Sequence, residues 1–434
     1  MENGQNKEEQ NQAVLNKTGH KEEQNQAGQN KTEQNQEAWI SQGEETLYKT
    51  YNRFPVVFER GEGLHLYDTD GKEYLDFFAG IAVNALGYGD KEYTEYIKEQ
   101  AGKLLHISNY FYNTPSIKAG EKLLKVSQMD KVFFTNSGTE AIEGALKIAR
   151  RYGFNKGISA EKSKIIAMKN SFHGRSLGAL SVTGNDHYQE PFKPLIPGIC
   201  FADFNDLDSV KALMDENTCA VIMETVQGEG GIYPASEAFI TGVRALCDQY
   251  DALLILDEIQ CGMGRTGKMF AWQHYPVKPD VMTTAKALGN GVPVGAFLAR
   301  GKAATAMVPG DHGSTYGGNP FVGAAAEKVL DIFASRKLAE HAEEMGNYLW
   351  EKLEEIKAKY LVVKDHRGMG LLQGLELSIS AGEIIRKALL EERLVLINAG
   401  ANIIRFVPPL VIEKEDIDEM VRRLSKVMDE VVNG

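Results

Sequence analysis

The sequence predicts an α/β fold with a mostly parallel central sheet, and three observations carry that prediction. Between about Thr114 and Arg300, six short apolar runs alternate with segments of helical periodicity: "KVFF", "KIIAM", "CAVIM", "ALLIL", "VMTTA" and "VGAFLA". Such alternation describes parallel strands covered by helices. The chain has 434 residues, long enough for about two or three domains that each bury a core. Residues suited to chemistry stand at the ends of these runs, where open α/β sheets bind their ligands.

Taken in order, residues 1–37 repeat a polar unit three times, as "NKEEQNQA", "HKEEQNQA" and "NKTEQNQE". Val14 and Leu15 are the only branched aliphatics there, so burial cannot offset the ordering entropy and a disordered extension is expected. Residues 38–86 are assigned to a smaller α+β domain, and 87–330 to the large domain that holds the alternating runs. After the first run, "TEAIEGALKIARRYG" places Ala141, Ala145, Ile148 and Ala149 on one helical face, with Gly153 as its stop. Beyond "NPFVGAAAEKVLDIFASRK" the pattern becomes mixed and ends in the amphipathic "EDIDEMVRRLSKVMDEVV". Residues 331–434 therefore complete the smaller domain.

Composition excludes several function classes. The net charge of −12 leaves no excess of basic residues to neutralise phosphates, so nucleic acid is not an expected partner. Four cysteines without a CxxC pair form neither a disulfide scaffold nor a metal knuckle; they are expected to be reduced, with no metal bound. No stretch approaches the roughly 18 apolar residues that cross a bilayer. The expectation is a cytoplasmic protein without membrane attachment.

The segment "ALLILDEIQCGMGRTGK" poses the sharpest question, because Gly262, Gly264 and Gly267 follow an apolar run in the order of a dinucleotide fingerprint. In that fold the first glycine follows the strand directly and the third opens a helix. Here five residues intervene, among them Asp257 and Glu258, whose charges would repel phosphates. Met269 also occupies the position where a triphosphate loop needs Ser or Thr. A carboxylate at a strand end, facing a cation, fits better.

Two further pieces point to a cofactor. In "TTAKALGNGVP", Lys286 sits at a strand end among small residues; a lysine in a dry or cation-flanked pocket loses proton affinity and becomes an amine nucleophile. In "FFTNSGTEA", Ser137, Gly138 and Thr139 lie between a strand and a helix N-terminus, where free amides and the helix dipole bind anions. Each has a plain alternative: a solvated lysine, and a helix cap by Ser137 or Thr139.

From Leu47 to the C-terminus, the motifs "NSGTEA", "SFHGR", "QGEGG", "LDEIQCGMGRTG", "TTAKALGNGVP", "HGSTYGGNP" and "IIRFVPPL" occur in order. With them the chain resembles a class III, fold type I aminotransferase dependent on pyridoxal 5′-phosphate. The resemblance implies that Lys286 bonds to the cofactor and then shuttles a proton, while Asp257 pairs with the pyridine nitrogen and keeps the ring protonated. It further implies that Gln260 contacts the ring hydroxyl, that Phe172 and Ile259 cover the two ring faces, and that Ser137, Gly138 and Thr139 hold the phosphate. Thr315 resembles a residue that reaches the phosphate from a partner subunit, which implies a homodimer. Without the resemblance, Phe172, Ile259 and His173 would be read as core residues.

Within this family the segments "HISNYFYN" and "FFAGIAVNALG" are similar to those of the branch that transfers the terminal amine of acetylornithine to 2-oxoglutarate. Arg175 resembles the arginine that grips a substrate carboxylate, a task suited to a bidentate guanidinium. Arg405 resembles the arginine for the α-carboxylate of glutamate, with Glu229 as the switch that hides it. Tyr51 resembles a substrate-contacting tyrosine of the ornithine branch. Ornithine, 4-aminobutyrate or another ω-amine is the alternative donor, and a non-catalytic binding relative is a more remote one. The chain departs from the family pattern at "YGDKEY" and at Thr225, where proline is usual.

Overall fold

The apolar runs foreseen between Thr114 and Arg300 join in one sheet of seven strands. In the computed structural model, which describes residues 35–433, the strands are β1 (Lys131–Thr135), β2 (Lys164–Met168), β3 (Ile199–Ala202), β4 (Thr218–Glu224), β5 (Leu253–Asp257), β6 (Val281–Thr284) and β7 (Gly295–Ala299). Their order is β1-β7-β6-β5-β4-β2-β3. Every residue of β4, β5 and β6 is buried. Helices cover both faces of such a sheet, which explains why its strands read as unbroken apolar runs instead of alternating ones.

The run "VGAFLA" does not continue the parallel pattern: β7 is antiparallel to both β6 and β1. Only residues 285–294 connect β6 to β7, too few for the crossover of a dozen or more residues that a parallel return requires. The short β3 at the sheet edge had no expectation in sequence. Between β1 and β2 runs helix α1 (Gly138–Asn155), which buries Ala141, Ala145, Ile148 and Ala149 as foreseen. Gly153 does not stop it. The helix continues to Asn155, and a Cβ at Gly153 would collide with Cys219 Sγ on β4; this glycine serves close helix-to-sheet approach.

The described residues fall into two compact units, one of residues 35–59 with 67–72, the other of residues 60–66 with 73–433. The boundaries expected near 86 and 330 both fall inside the second unit. In the first, helix Gln36–Thr46 is capped by Asn35, whose Oδ1 accepts from Ala38 N at 2.9 Å. Residues 35–37, expected in the disordered extension, thus begin a helix, because the third polar repeat supplies an asparagine cap. The expectation for residues 1–34 lies outside the described residues.

The second unit also contains an antiparallel sheet of β8 (Val363–Met369), β9 (Leu372–Leu377), β10 (Ile397–Ala399) and β11 (Ile403–Phe406), in the order β8-β9-β11-β10. Glu73–Asp76 pairs in parallel with Leu394–Val395. The amphipathic C-terminal pattern is the helix Lys414–Asn433. After β5 no α-helix opens on the glycines: Gly264 (φ +77) and Gly267 (φ +95) turn the chain, and the next helical residues are Ala271–His274. Neither nucleotide-binding arrangement is present there.

Candidate active site

The parallel register brings three strand ends abreast, with Glu224 of β4 beside Asp257 of β5, and Asp257 beside Thr283 of β6. Asp257 Oδ1 accepts from Ile259 N and from Thr283 Oγ1, each at 3.0 Å. Its Oδ2 lies 2.7 Å from Nδ1 of the buried His173. A carboxylate acceptor assigns the proton to Nδ1, and Nε2 of the same ring is buried without a partner among the described residues. His173 is therefore more than a satisfied core imidazole. It orients Asp257 and keeps one polar atom unused.

Lys286 stands two residues beyond β6 with a left-handed backbone, φ +46. It lines the cavity, and its ammonium has no hydrogen-bond or ion-pair partner among the described residues. Burial, helped by the charge of Arg405, lowers its pKa to about 8 against the opposing pull of Glu229, Asp257 and Glu224. Such an amine is neutral in a useful fraction at physiological pH and can attack a carbonyl carbon.

The cavity, of about 430 Å³, is lined at one end by Ser137, Gly138 and Thr139, the N-terminal residues of α1, and elsewhere by Phe172, Ile259 and Gln260. The Ser137 hydroxyl accepts from Glu140 N at 3.3 Å, so the plain cap reading holds for that side chain. The free amides and dipole of the α1 terminus still suit an anion. A Cβ at Gly138 would come within 3.0 Å of Ile259, so glycine is what allows the helix terminus to approach that side chain. The Thr139 hydroxyl lies 2.7 Å from that of Ser176 and accepts from Ser176 N at 3.2 Å.

Two arginines border this region. Arg405 on β11 is 2 % exposed and donates from NH1 to Glu229 Oε1 at 2.5 Å and to Gln260 Oε1 at 3.0 Å. Gln260 in turn donates to Glu229 at 3.4 Å. Burial alone would raise the Glu229 carboxyl, but the charge and hydrogen bond of Arg405, with Lys286 and Gln260, outweigh it and hold the group below the usual range. Arg175, in contrast, is exposed at the cavity wall and has no such partner among the described residues. Thr315 is exposed and outside the cavity lining. Tyr51 belongs to the first unit and is 75 % exposed, with the Arg53 guanidinium 5.7 Å from its ring centre.

Sequence reasoning missed Glu224. Burial, then the neighbouring charge of Asp257, raises its carboxyl well above the usual range, and it accepts from Phe172 N at 3.2 Å and Gly228 N at 3.4 Å. It ties the segment carrying Phe172 and Arg175 to the one carrying Glu229. The available signal was its place at the end of "CAVIME", matching Asp257 at the end of "ALLILD". Thr225, the departure from proline, donates to the buried Glu258 at 2.7 Å. Among the described residues, no His, Cys, Asp or Glu group has the geometry to hold a metal, and no helix is long and apolar enough to cross a membrane.

The family model for Aminotransferase class-III matches residues 46–428. The acetylornithine aminotransferase of Clostridium acetobutylicum is 51 % identical over 374 residues, which cover 86 % of this chain and 96 % of that protein. Among solved structures, N-acetylornithine aminotransferase from Stenotrophomonas maltophilia superposes with a TM-score of 0.79 at 37 % identity, covering 91 % of this chain and 99 % of that one. An ornithine aminotransferase from Toxoplasma gondii, described with pyridoxal phosphate at partial occupancy in its active site, gives 0.88 at 31 % identity, covering 93 % and 96 %.

Proposed function

Because the chain belongs to the class III aminotransferases, a fold type I family that uses pyridoxal 5′-phosphate, we propose that it moves the terminal amino group of N2-acetylornithine to 2-oxoglutarate. The products are the semialdehyde and glutamate, formed by a ping-pong mechanism. One observation carries this reading: Arg405, behind the lining residue Gln260, is paired with Glu229, while Arg175 in the cavity lining has no ionic partner among the described residues. A donor whose reacting amine is remote from its α-carboxylate needs one open carboxylate receptor. Glutamate, whose α-carboxylate adjoins the reacting carbon, needs a second. The identity to acetylornithine aminotransferases supports the same donor.

The residues present fit the cofactor. The α1 terminus with Ser137, Gly138 and Thr139 suits its phosphate, Phe172 and Ile259 suit the two ring faces, and the unpartnered Lys286 amine suits its carbonyl carbon. When bound, the cofactor supplies a carbonyl that holds the substrate amine and a ring that accepts the electrons released at the substrate carbon. Lys286 would anchor it and could afterwards move the proton at that carbon. Asp257, oriented by His173, would hold a proton on the ring nitrogen, and Gln260 would be the partner of the ring hydroxyl. Arg175 grips the α-carboxylate of acetylornithine in the first half-reaction. In the second, the α-carboxylate of glutamate or 2-oxoglutarate displaces Glu229 from Arg405.

The proposal includes a homodimer, in which Thr315 of a second copy reaches the phosphate, a substrate contact by Tyr51, a cytoplasmic location and a place in arginine biosynthesis. The Toxoplasma ornithine aminotransferase, with its higher TM-score, favours ornithine as a second reading. The test is the initial rate of amino transfer to 2-oxoglutarate from acetylornithine, ornithine and 4-aminobutyrate. Acetylornithine is expected to lead in kcat/KM by at least about tenfold, or ~1.4 kcal/mol; an equal or higher value for ornithine overturns the donor assignment.

A further inference from the structure

Among the described residues nothing polar holds Arg175, yet it is not loose. Its guanidinium carbon lies 3.9 Å from the ring centre of Tyr188 and 5.5 Å from that of Phe172. The two rings meet edge to face, 6.1 Å apart at 83°. At 3.9 Å the guanidinium is in contact with the aromatic face, an attraction that consumes none of its hydrogen-bond donors when the two planes stack. Those groups form the fork that binds a carboxylate through two parallel bonds.

The ring beneath Arg175 is itself fixed. Tyr188 sits in the short helix α2 (Asp186–Gln189), where Asn185 Oδ1 accepts from His187 N at 3.1 Å. The next residue, Gln189, is buried and donates to the carbonyl oxygens of Leu180 at 3.0 Å and Thr183 at 2.8 Å. The Tyr188 hydroxyl has no hydrogen-bond partner among the described residues, so the residue's use lies in its ring. Tyr188 does not line the cavity; it acts from behind the arginine.

We propose that Tyr188 is a specificity-determining positioning residue: its ring holds the Arg175 guanidinium with its donor edge open to the cavity, so that substrates carrying a carboxylate there bind without first ordering a long, mobile side chain. The assignment rests on the function proposed above, in which Arg175 receives the donor's carboxylate. Ordering an arginine costs rotamer entropy, and a stacked arginine has already lost it. The same geometry explains why one aromatic, Phe172, touches both the arginine and the cavity.

The experiment uses the holoenzyme and its variants Tyr188→Phe, Tyr188→Leu, Arg175→Leu and the double Leu variant. Single turnovers with acetylornithine are followed by the loss of the cofactor's visible absorbance, giving a half-saturating concentration and a maximal rate for each. Tyr188→Phe should match the wild type. Tyr188→Leu should raise the half-saturating concentration about fivefold while the maximal rate stays within about twofold, and it should add nothing in the Arg175→Leu background. A change of the same size in that background marks a merely structural role and overturns the proposal. An effect of Arg175→Leu with none from Tyr188→Leu overturns it too, while leaving the proposed function standing. A wild-type protein that does not respond to acetylornithine rejects the function itself. Should the Leu variant fail to fold, Tyr188→Gln, which also lacks an aromatic face, gives the same comparison.

Discussion

Two arginines serve the same cavity, Arg175 from its lining and Arg405 from behind the lining residue Gln260, and are held by opposite means. Arg405 is buried on β11 and tied through NH1 to Glu229 and Gln260. Arg175 is exposed, without an ionic partner among the described residues, and rests on the face of Tyr188, with the Phe172 ring centre 5.5 Å from its guanidinium carbon. The ion pair engages one terminal nitrogen of the Arg405 guanidinium and occupies it until a competing carboxylate arrives. Stacking satisfies a guanidinium's shape alone and leaves the donors open. The contrast teaches that one residue type can supply both a standing receptor and a conditional one, and that the difference is written in the neighbours.

The largest expected effect removes what both arginines serve. Lys286→Ala should still bind the cofactor yet lose at least ~10²-fold in turnover, because the proton carrier is gone; a steady-state rate near that of the wild type would end the assignment. Next comes stability, where the two regions should part. Arg405→Leu removes the main partner of Glu229 and leaves it only Lys286 and Gln260, a loss of about 3 kcal/mol, whereas Arg175→Leu should stay within about 0.5 kcal/mol. Urea unfolding of the apoproteins makes the comparison, and equal losses would erase it. Asp257→Asn keeps the shape but removes the charge, and should slow the chemical step at least about tenfold, ~1.4 kcal/mol.

A smaller effect concerns pH. The amine of Lys286 reacts when neutral, and its pKa is lowered to about 8 by burial and then by Arg405. Recapture of cofactor by the apoprotein should therefore rise with pH through about 8 and level off above it. Arg405→Leu removes a cause of the lowering, so the midpoint should move up; Arg175 is not among the causes, and Arg175→Leu should leave it in place. A midpoint that moved in both variants, or in neither, would show that Arg405 has no special hold on the amine.

Much of this was legible in sequence, for physical reasons. Asp257 and Lys286 could be placed because long apolar runs end beside them, and the sheet turned out to be built from those runs. The strand Ile199–Ala202 escaped because its four residues, three of them half-buried at the sheet edge, directly follow the turn-like "PLIPG" and carry no long apolar run beyond it. The direction of β7 depends on the length of its connection, and the purpose of Gly153 depends on Cys219 of a strand far along the chain. Glu224 and Tyr188 were missed for a related reason. Each acts on a neighbour that only the sheet register or a local helix brings near, and a carboxylate or tyrosine alone carries no motif.

The account's central claim is that the Glu229–Arg405 pair closes one receptor while Arg175 stays open. The direct test is rapid-mixing measurement of both half-reactions, acetylornithine with the cofactor-loaded enzyme and glutamate with the same form, in the wild type and in Glu229→Ala. Freeing Arg405 should tighten glutamate binding and shift the ratio of the two rates toward glutamate by about fivefold or more, ~1 kcal/mol. A ratio that stayed within about twofold, ~0.4 kcal/mol, would contradict the claim.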